Sequence, residues 1–238
     1  MARVHLVLQN KGGVGKSLVA ALLSQYLQDR KTPLICIDTD SENATLASYR
    51  ALPSRKIPLM EGGVINEKAF DSIMDMIPEN PDAEIVIDNV TSAFGPLMNY
   101  LLEKRIFELL EDKGYELLTH TIVTGGQAFL NTIDGLGVLI TRFPGSARFV
   151  VWLNEYFGRI EQDGKAFKEM KIYREHEERI KKVIAIPKRS ELFEQDMQEM
   201  LKAHVTFDET MRLADFQLMT KHRLQRIKKE LFAQMEGL

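Results

Sequence analysis

The residues Lys11-Gly12-Gly13-Val14-Gly15-Lys16-Ser17 have the types and spacing that phosphate chemistry needs. Glycines let successive backbone N–H groups turn inward around phosphate oxygens. The run also opens a helical pattern, so a helix N-terminus adds partial positive charge. In this arrangement Lys16 reaches the β- and γ-phosphates, the Ser17 hydroxyl ligates Mg²⁺, and Val14 and Leu18 flank the nucleotide. The plain P-loop pattern asks for a glycine at Asn10, and an extra lysine, Lys11, follows it.

Carboxylates supply the second half of such a site. Asp38 and Asp40 stand two residues apart where the apolar run Leu34–Ile37 ends, and Asp88 closes the run Glu84–Asp88. Acids at the carboxyl ends of neighbouring strands face the crevice where an α/β sheet binds its ligand. Asp88 in that position holds Mg²⁺ through water. The segment around Asp40 and Ser41 is also the pattern of a helix N-cap. Asn154 and Pro187 end two further apolar runs.

The elements that must position these groups follow from apolar periodicity. Strands are predicted at Val4–Leu8, Leu34–Ile37, Glu84–Asp88, Leu117–Val123, Arg148–Leu153 and Val183–Ile186. Helices are predicted at Lys16–Asp29, Ala69–Ile77, Pro96–Asp112, Gln127–Gly135, Ser190–Ala203 and Asp208–Met235. The stretch with Pro53, Pro58, Gly62 and Gly63 reads as a loop. Asp163-Gly164 marks a hairpin within 158–182. Strands alternating with helices imply a mainly parallel sheet covered by helices on both faces, and residues 1–238 read as a single domain.

The lysine-led run KGGVGKS resembles the deviant Walker A motif of the ParA/MinD family of P-loop ATPases. The segment Asp38-Thr39-Asp40-Ser41-Glu42-Asn43-Ala44-Thr45 resembles that family's D-x-D-P-Q-x-N-A-T region, with serine and glutamate for proline and glutamine. The resemblance extends to about residue 190. It implies ATP and Mg²⁺ as cofactors, and a homodimer in which each Lys11 contacts the partner's nucleotide. It places Asp38 near the metal through water, and gives Asp40 the orientation or deprotonation of the attacking water. Asn154 matches the family's adenine-reading asparagine, and Pro187 the loop beside the base. The chain carries no N-K-x-D guanine pattern. After Asp88 the family has a D-x-P-x-G-like switch, and here the sequence is Asn89-Val90-Thr91-Ser92. Slow or partner-stimulated hydrolysis is expected from that departure.

Composition narrows the choice within the family. Of 238 residues, 45% are apolar and 27% charged, with 31 basic against 34 acidic groups, which excludes a disordered chain and a permanently basic nucleic-acid coat. Cys36 is the single cysteine, which excludes the branches built on cysteine ligands, and a reducing cytoplasmic setting is expected. The positioning and segregation branch remains, including small members found in conjugative transfer and plasmid stability. A metabolic ligase resembling dethiobiotin synthetase and a nucleotide-binding assembly protein with negligible turnover are the alternatives. The final predicted helix has an apolar stripe (Leu224, Ile227, Leu231, Met235) and five cations (Lys221, Arg223, Arg226, Lys228, Lys229). It packs on the sheet, presents its cations to nonspecific DNA, or lies on a membrane, the last being the least expected. A plasmid-encoded protein is the other candidate partner. The five histidines show no ligand spacing and are read as non-catalytic.

Overall fold

The computed structural model describes residues 3–238. In chain order the elements are β1 (Arg3–Val7), α1 (Lys16–Asp29), β2 (Leu34–Asp38), β3 (Ser54–Lys56), β4 (Met60–Glu61), β5 (Val64–Ile65), α2 (Glu67–Glu79), β6 (Glu84–Asp88), α3 (Phe94–Glu103), α4 (Ile106–Asp112), β7 (Glu116–Thr124), α5 (Phe129–Arg142), β8 (Arg148–Asn154), β9 (Glu161–Gln162), β10 (Lys165–Ala166), α6 (Lys171–Arg174), β11 (Ile180–Ile186), α7 (Glu191–Lys202), α8 (Phe207–Arg212) and α9 (Leu218–Met235).

Seven strands form one sheet in the order β11-β8-β7-β1-β6-β2-β3, every neighbour pair parallel. Alternate side chains of each strand enter different cores. Val4, Leu6, Ile85 and Ile87 pack with α2 to α5. Val7, Cys36, Val86 and Trp152 pack with α1 and α7 to α9 on the other face. Burial on both faces makes these strands read as near-continuous apolar runs. The chain runs from β1 to β2 and back to β6 on one side, then crosses β1 from β6 to β7 on the other, so the switch point of the sheet lies beside β1. Register then aligns the ends that matter: Val7 is opposite Asp88, and Asp38 is opposite Asp88 on the next strand.

Three expectations are corrected here. The stretch with Pro53, Pro58, Gly62 and Gly63 holds the edge strand β3 and the β4–β5 hairpin. β3 is Ser-Arg-Lys with no apolar period, and a polar, cationic edge is what keeps a sheet end from pairing further. Gly62 and Gly63 both have positive φ and make the two-residue turn of the hairpin. The helix expected at Pro96–Asp112 is two helices, broken at Arg105 with φ of 53°. The helix expected at Asp208–Met235 is also two. Phe207 and Phe216 are both buried in the same core, yet nine positions at 100° each place them on opposite sides of a straight helix, so the chain must break between them. Leu218 and Met219 are left exposed. The turn at Asp163-Gly164 joins β9 and β10, as the sequence suggests.

Of the readings for the terminal helix, the structure shows packing: Leu224, Ile227, Leu231 and Met235 are buried. Four of its five cations are drawn into intramolecular contacts, and Lys229 is exposed. Lys228 pairs with Asp29 and Asp208, Arg223 with Asp196, and Arg226 with Glu230, while Lys221 donates to the Met211 carbonyl. Among the described residues no helix is long and apolar enough to cross a membrane. The histidines are not all scattered either: His5 and His120 meet in the core.

Candidate functional site

The phosphate loop leaves the end of β1 and becomes α1 without a side-chain cap, so its helix N-terminus is free for an anion. Gly15 is the cap residue, at φ of 107°, a conformation an L side chain rarely adopts, and a Cβ there would stand 3.0 Å from the Asn154 amide nitrogen. The loop entry is anchored from below. Gln9 is fully buried, donates to the Ile122 carbonyl at 2.7 Å and accepts the Asn10 N–H at 2.8 Å. The sequence reading passes over this residue, because nothing in a single polar side chain signals burial.

Lys16 and Lys11 part company. Lys16 is buried at 8% exposure and lines a cleft with Gly13, Gly15, Ser17, Asp40, Asp88 and Thr91. Burial lowers its ammonium pKa, against the pull of Asp88 and Asp40. Lys11 is exposed on the other side of the loop, beside Gly125, Gly126 and Phe157.

The three acids also divide. Asp88 is buried, and its Oδ1 has no hydrogen-bond partner. Burial pushes its carboxyl up to about 7; the nearby Ser17 hydroxyl and Lys16 hold it down, and Asp38 and Asp40 push it further up. An orphaned carboxylate oxygen next to a serine hydroxyl is a donor set that suits Mg²⁺, a hard cation that takes oxygen ligands and keeps several waters. Asp38 lies beside it in the sheet, but both its oxygens turn to the backbone. Oδ1 accepts from Asp40 N–H and Oδ2 from Ala47 N–H, both at 3.0 Å. Burial raises its pKa as well. Asp40 caps no helix, because residues 41–44 form no helical turn and the next one, Leu46–Ser48, has Thr45 as its N-cap. Its Oδ1 accepts from the N–H groups of Glu42 and Asn43 at 2.8 and 2.9 Å, which closes a local turn, and the residue lines the cleft.

Asn154 and Pro187 meet with Gly13, Gly15 and Leu18 in a neighbouring, largely apolar cleft walled by Phe193 and Met197 of α7. The Asn154 amide is engaged at both ends. Its Nδ2 donates to the Val14 carbonyl at 2.9 Å, and its Oδ1 accepts from Tyr156 N–H at 3.2 Å. It fastens β8 to the phosphate loop.

Residues 6–207 match the family model of the CobQ/CobB/MinD/ParA nucleotide binding domain. The chain belongs to this family. Two proteins named TraL from Escherichia coli are 43% and 44% identical to it over all 238 residues, which is 98% of each relative's length. Their similarity includes the last 45 residues, beyond the stretch that the motifs alone could cover. MinD from Aquifex aeolicus is similar in fold, with a TM-score of 0.54 at 13% identity over 97% of both chains. The MinC:MinD complex from the same organism gives 0.54 at 13% over 99% of this chain and 98% of that one. The chain is thus a TraL-like member of the ParA/MinD-type nucleotide-binding family, with the loop, the acids and the Asn154–Pro187 cleft gathered at the carboxyl edge of one sheet.

Proposed function

We propose that this protein is a Mg·ATP-dependent dimerising switch that hydrolyses ATP slowly. The observation that carries this reading is the division between the loop lysines. Lys16 is buried in the cleft with the acids, whereas Lys11 is exposed on the far side of the loop. An exposed cation beside a phosphate site has the reach to serve a second subunit's nucleotide. ATP is preferred to GTP because the chain lacks the guanine pattern. Mg²⁺ would be held by Ser17 and by Asp88, through water, and would neutralise charge on the phosphates. Asp40 would orient or deprotonate the attacking water, and Asp38, with both oxygens on backbone N–H groups, would hold the Asp40 loop in place. A dimer stable only with ATP is a timer, since the nucleotide states bind the partner surface differently. The reading places its output in plasmid transfer, partition or positioning, with a cytoplasmic location and a plasmid-encoded partner. DNA contact through α9 is a weaker branch, because Arg223, Arg226 and Lys228 are already paired with acids and Lys221 is bonded to the Met211 carbonyl, which leaves the exposed Lys229 as the one of the five without such a contact among the described residues.

Light scattering after size exclusion tests it. MgATP should double the mass of the wild type, leave Lys11→Ala monomeric and lock Asp40→Ala as a dimer. A wild type that stays monomeric with ATP, together with normal turnover by Lys11→Ala, sinks the switch and favours a metabolic enzyme.

A further inference from the structure

The segment after Asp88 departs from the family pattern, and it carries a contact that the chemistry above does not use. The Lys16 Nζ donates to the Thr91 hydroxyl at 2.7 Å and more loosely to the Lys11 carbonyl at 3.2 Å. Both acceptors are neutral oxygens, and a charged phosphate oxygen is the stronger partner for an ammonium.

Thr91 is delivered to that place by a rigid lead-in. The Asn89 amide is buried and donates to the carbonyls of Val7 and Ile87, at 3.1 and 3.3 Å. The Val90 N–H donates to the Thr39 hydroxyl at 3.1 Å, and Thr39 in turn donates to the Asp88 carbonyl at 3.0 Å. Residues 88–90 are therefore fixed to the ends of β1 and β2. Beyond them Thr91 opens a 3₁₀ turn, Thr91–Ala93, that runs straight into α3. The two sides of this turn face different clefts. Thr91 lines the one with Lys16, Ser92 lines the next one with the β4–β5 hairpin, and Val90 and Asp40 border both.

Resting on the nucleotide-binding reading above, we propose that Thr91 and the bound phosphate compete for Lys16, so that phosphate releases Thr91 and with it the turn leading to α3. Thr91 is a positioning residue in this scheme. Its hydroxyl acts through Lys16, and its release carries the state of the phosphate site to α3 and the hairpin cleft.

The test compares Thr91→Val, which keeps the shape and loses the hydroxyl, with Thr91→Ser, which keeps the hydroxyl; Thr91→Ala replaces the valine variant if that one does not fold. Calorimetric titration uses three probes: MgADP, MgATP and inorganic pyrophosphate. Without its competitor, Lys16 should bind each probe about threefold to tenfold more tightly in Thr91→Val. Thr91→Ser should match the wild type. Equal or weaker binding by Thr91→Val overturns the proposal. Hydrogen exchange in protein without any probe is the second readout. The peptide spanning residues 91–97 should exchange faster in Thr91→Val and in Lys16→Met than in the wild type or Thr91→Ser, and unchanged exchange there overturns the proposal even if no nucleotide binds. A wild type that binds none of the three probes fails the nucleotide reading instead.

Discussion

His120 Nε2 lies 2.9 Å from His5 Nδ1 in the fully buried core between β1 and β7. One of these nitrogens must donate and the other accept, and a third residue decides which. The Trp152 indole, which can only donate, gives its N–H to His120 Nδ1 at 3.0 Å. His120 therefore carries its proton on Nε2 and donates to His5. His5 carries its own on Nε2 and donates to Glu84 at 2.8 Å, where Arg3 completes the carboxylate's partners. The chain of donors runs one way across four strands, and it works only with both imidazoles neutral.

That requirement has a sign in pH. Burial lowers the pKa of His5, against the pull of Glu84, and it lowers that of His120 well below the ordinary value, helped by His5 and Arg3. Stability from these two groups is complete above the unfolded histidine value of about 6.5 and falls as pH drops below it, because the unfolded chain then binds protons the folded one refuses. Each contributes a slope of about 1.4 kcal/mol per pH unit. Asp88, with its raised pKa, works in the opposite direction over part of this range, so the difference between two proteins isolates the histidine. Urea unfolding of the wild type and His120→Gln between pH 7.5 and about 5 should give curves that converge toward acid pH. Parallel curves would show that His120 does not titrate on unfolding.

Much of this architecture can be read from the residues alone, and the exceptions have physical causes. Gly12–Ser17 and the acid-ended strands are local patterns, so the loop and the parallel sheet follow from them. β3 escapes because three polar residues at an edge carry no period. The break before α9 escapes because burial of Phe216 is a tertiary demand that overrides helix propensity. His5 and His120 look unrelated in sequence, 115 positions apart, and only strand register brings them together. The place of Thr91 beside the phosphate site follows from its position after Asp88, but its bond to Lys16 escapes for the same reason as the burial of Gln9: a lone hydroxyl or amide does not announce its partner.

Two glycines of α5 should behave oppositely. A Cβ at Gly135 would stand 2.1 Å from Gln9 Oε1 and 2.7 Å from Asn10 Oδ1, and Gln9 is held by its own hydrogen bonds and cannot move aside. Gly135→Ala should cost about 1–3 kcal/mol by overpacking and weaken nucleotide binding through the loop entry. At Gly137 the nearest atom is the Ile172 Cδ1 at 3.8 Å, an ordinary contact. Gly137→Ala should be neutral or stabilise by up to about 1 kcal/mol through helix propensity. Thermal unfolding and ADP titration of both variants check this, and equal effects at the two sites would refute the close approach.

Asp88 is a carboxylate that the fold keeps at a cost. Its pKa, raised by burial to about 7, means the ionised form is less stable in the folded chain than in the unfolded one at neutral pH. Asp88→Asn should raise stability without added metal at pH 8 by on the order of 2 kcal/mol, the gain shrinking as pH falls through 7. The same change should abolish the Mg²⁺ dependence of ATP binding. Denaturation at pH 8 and 6, with ATP titrations in Mg²⁺ or EDTA, measures both. A destabilised Asp88→Asn with intact Mg²⁺ dependence would remove Asp88 from the metal site.

Asn154 separates two roles that its position alone does not. A residue that reads adenine should lose discrimination when it is replaced, while one that holds the phosphate loop should lose affinity for every nucleotide alike. Both ends of its amide are bonded within the chain, to Val14 and Tyr156, which favours the second role. Removing a buried hydrogen-bond partner leaves the Val14 carbonyl unsatisfied and loosens the loop, a loss of about 1–3 kcal/mol. Asn154→Ala should therefore weaken ATP, GTP and pyrophosphate by similar factors, roughly tenfold. Asn154→Asp should behave alike, because a carboxylate keeps the acceptor for Tyr156 and loses the donor to Val14. Pyrophosphate decides the matter, since it has no base to read. If Asn154→Ala weakens ATP but leaves pyrophosphate binding untouched, the residue works on the base and not on the loop.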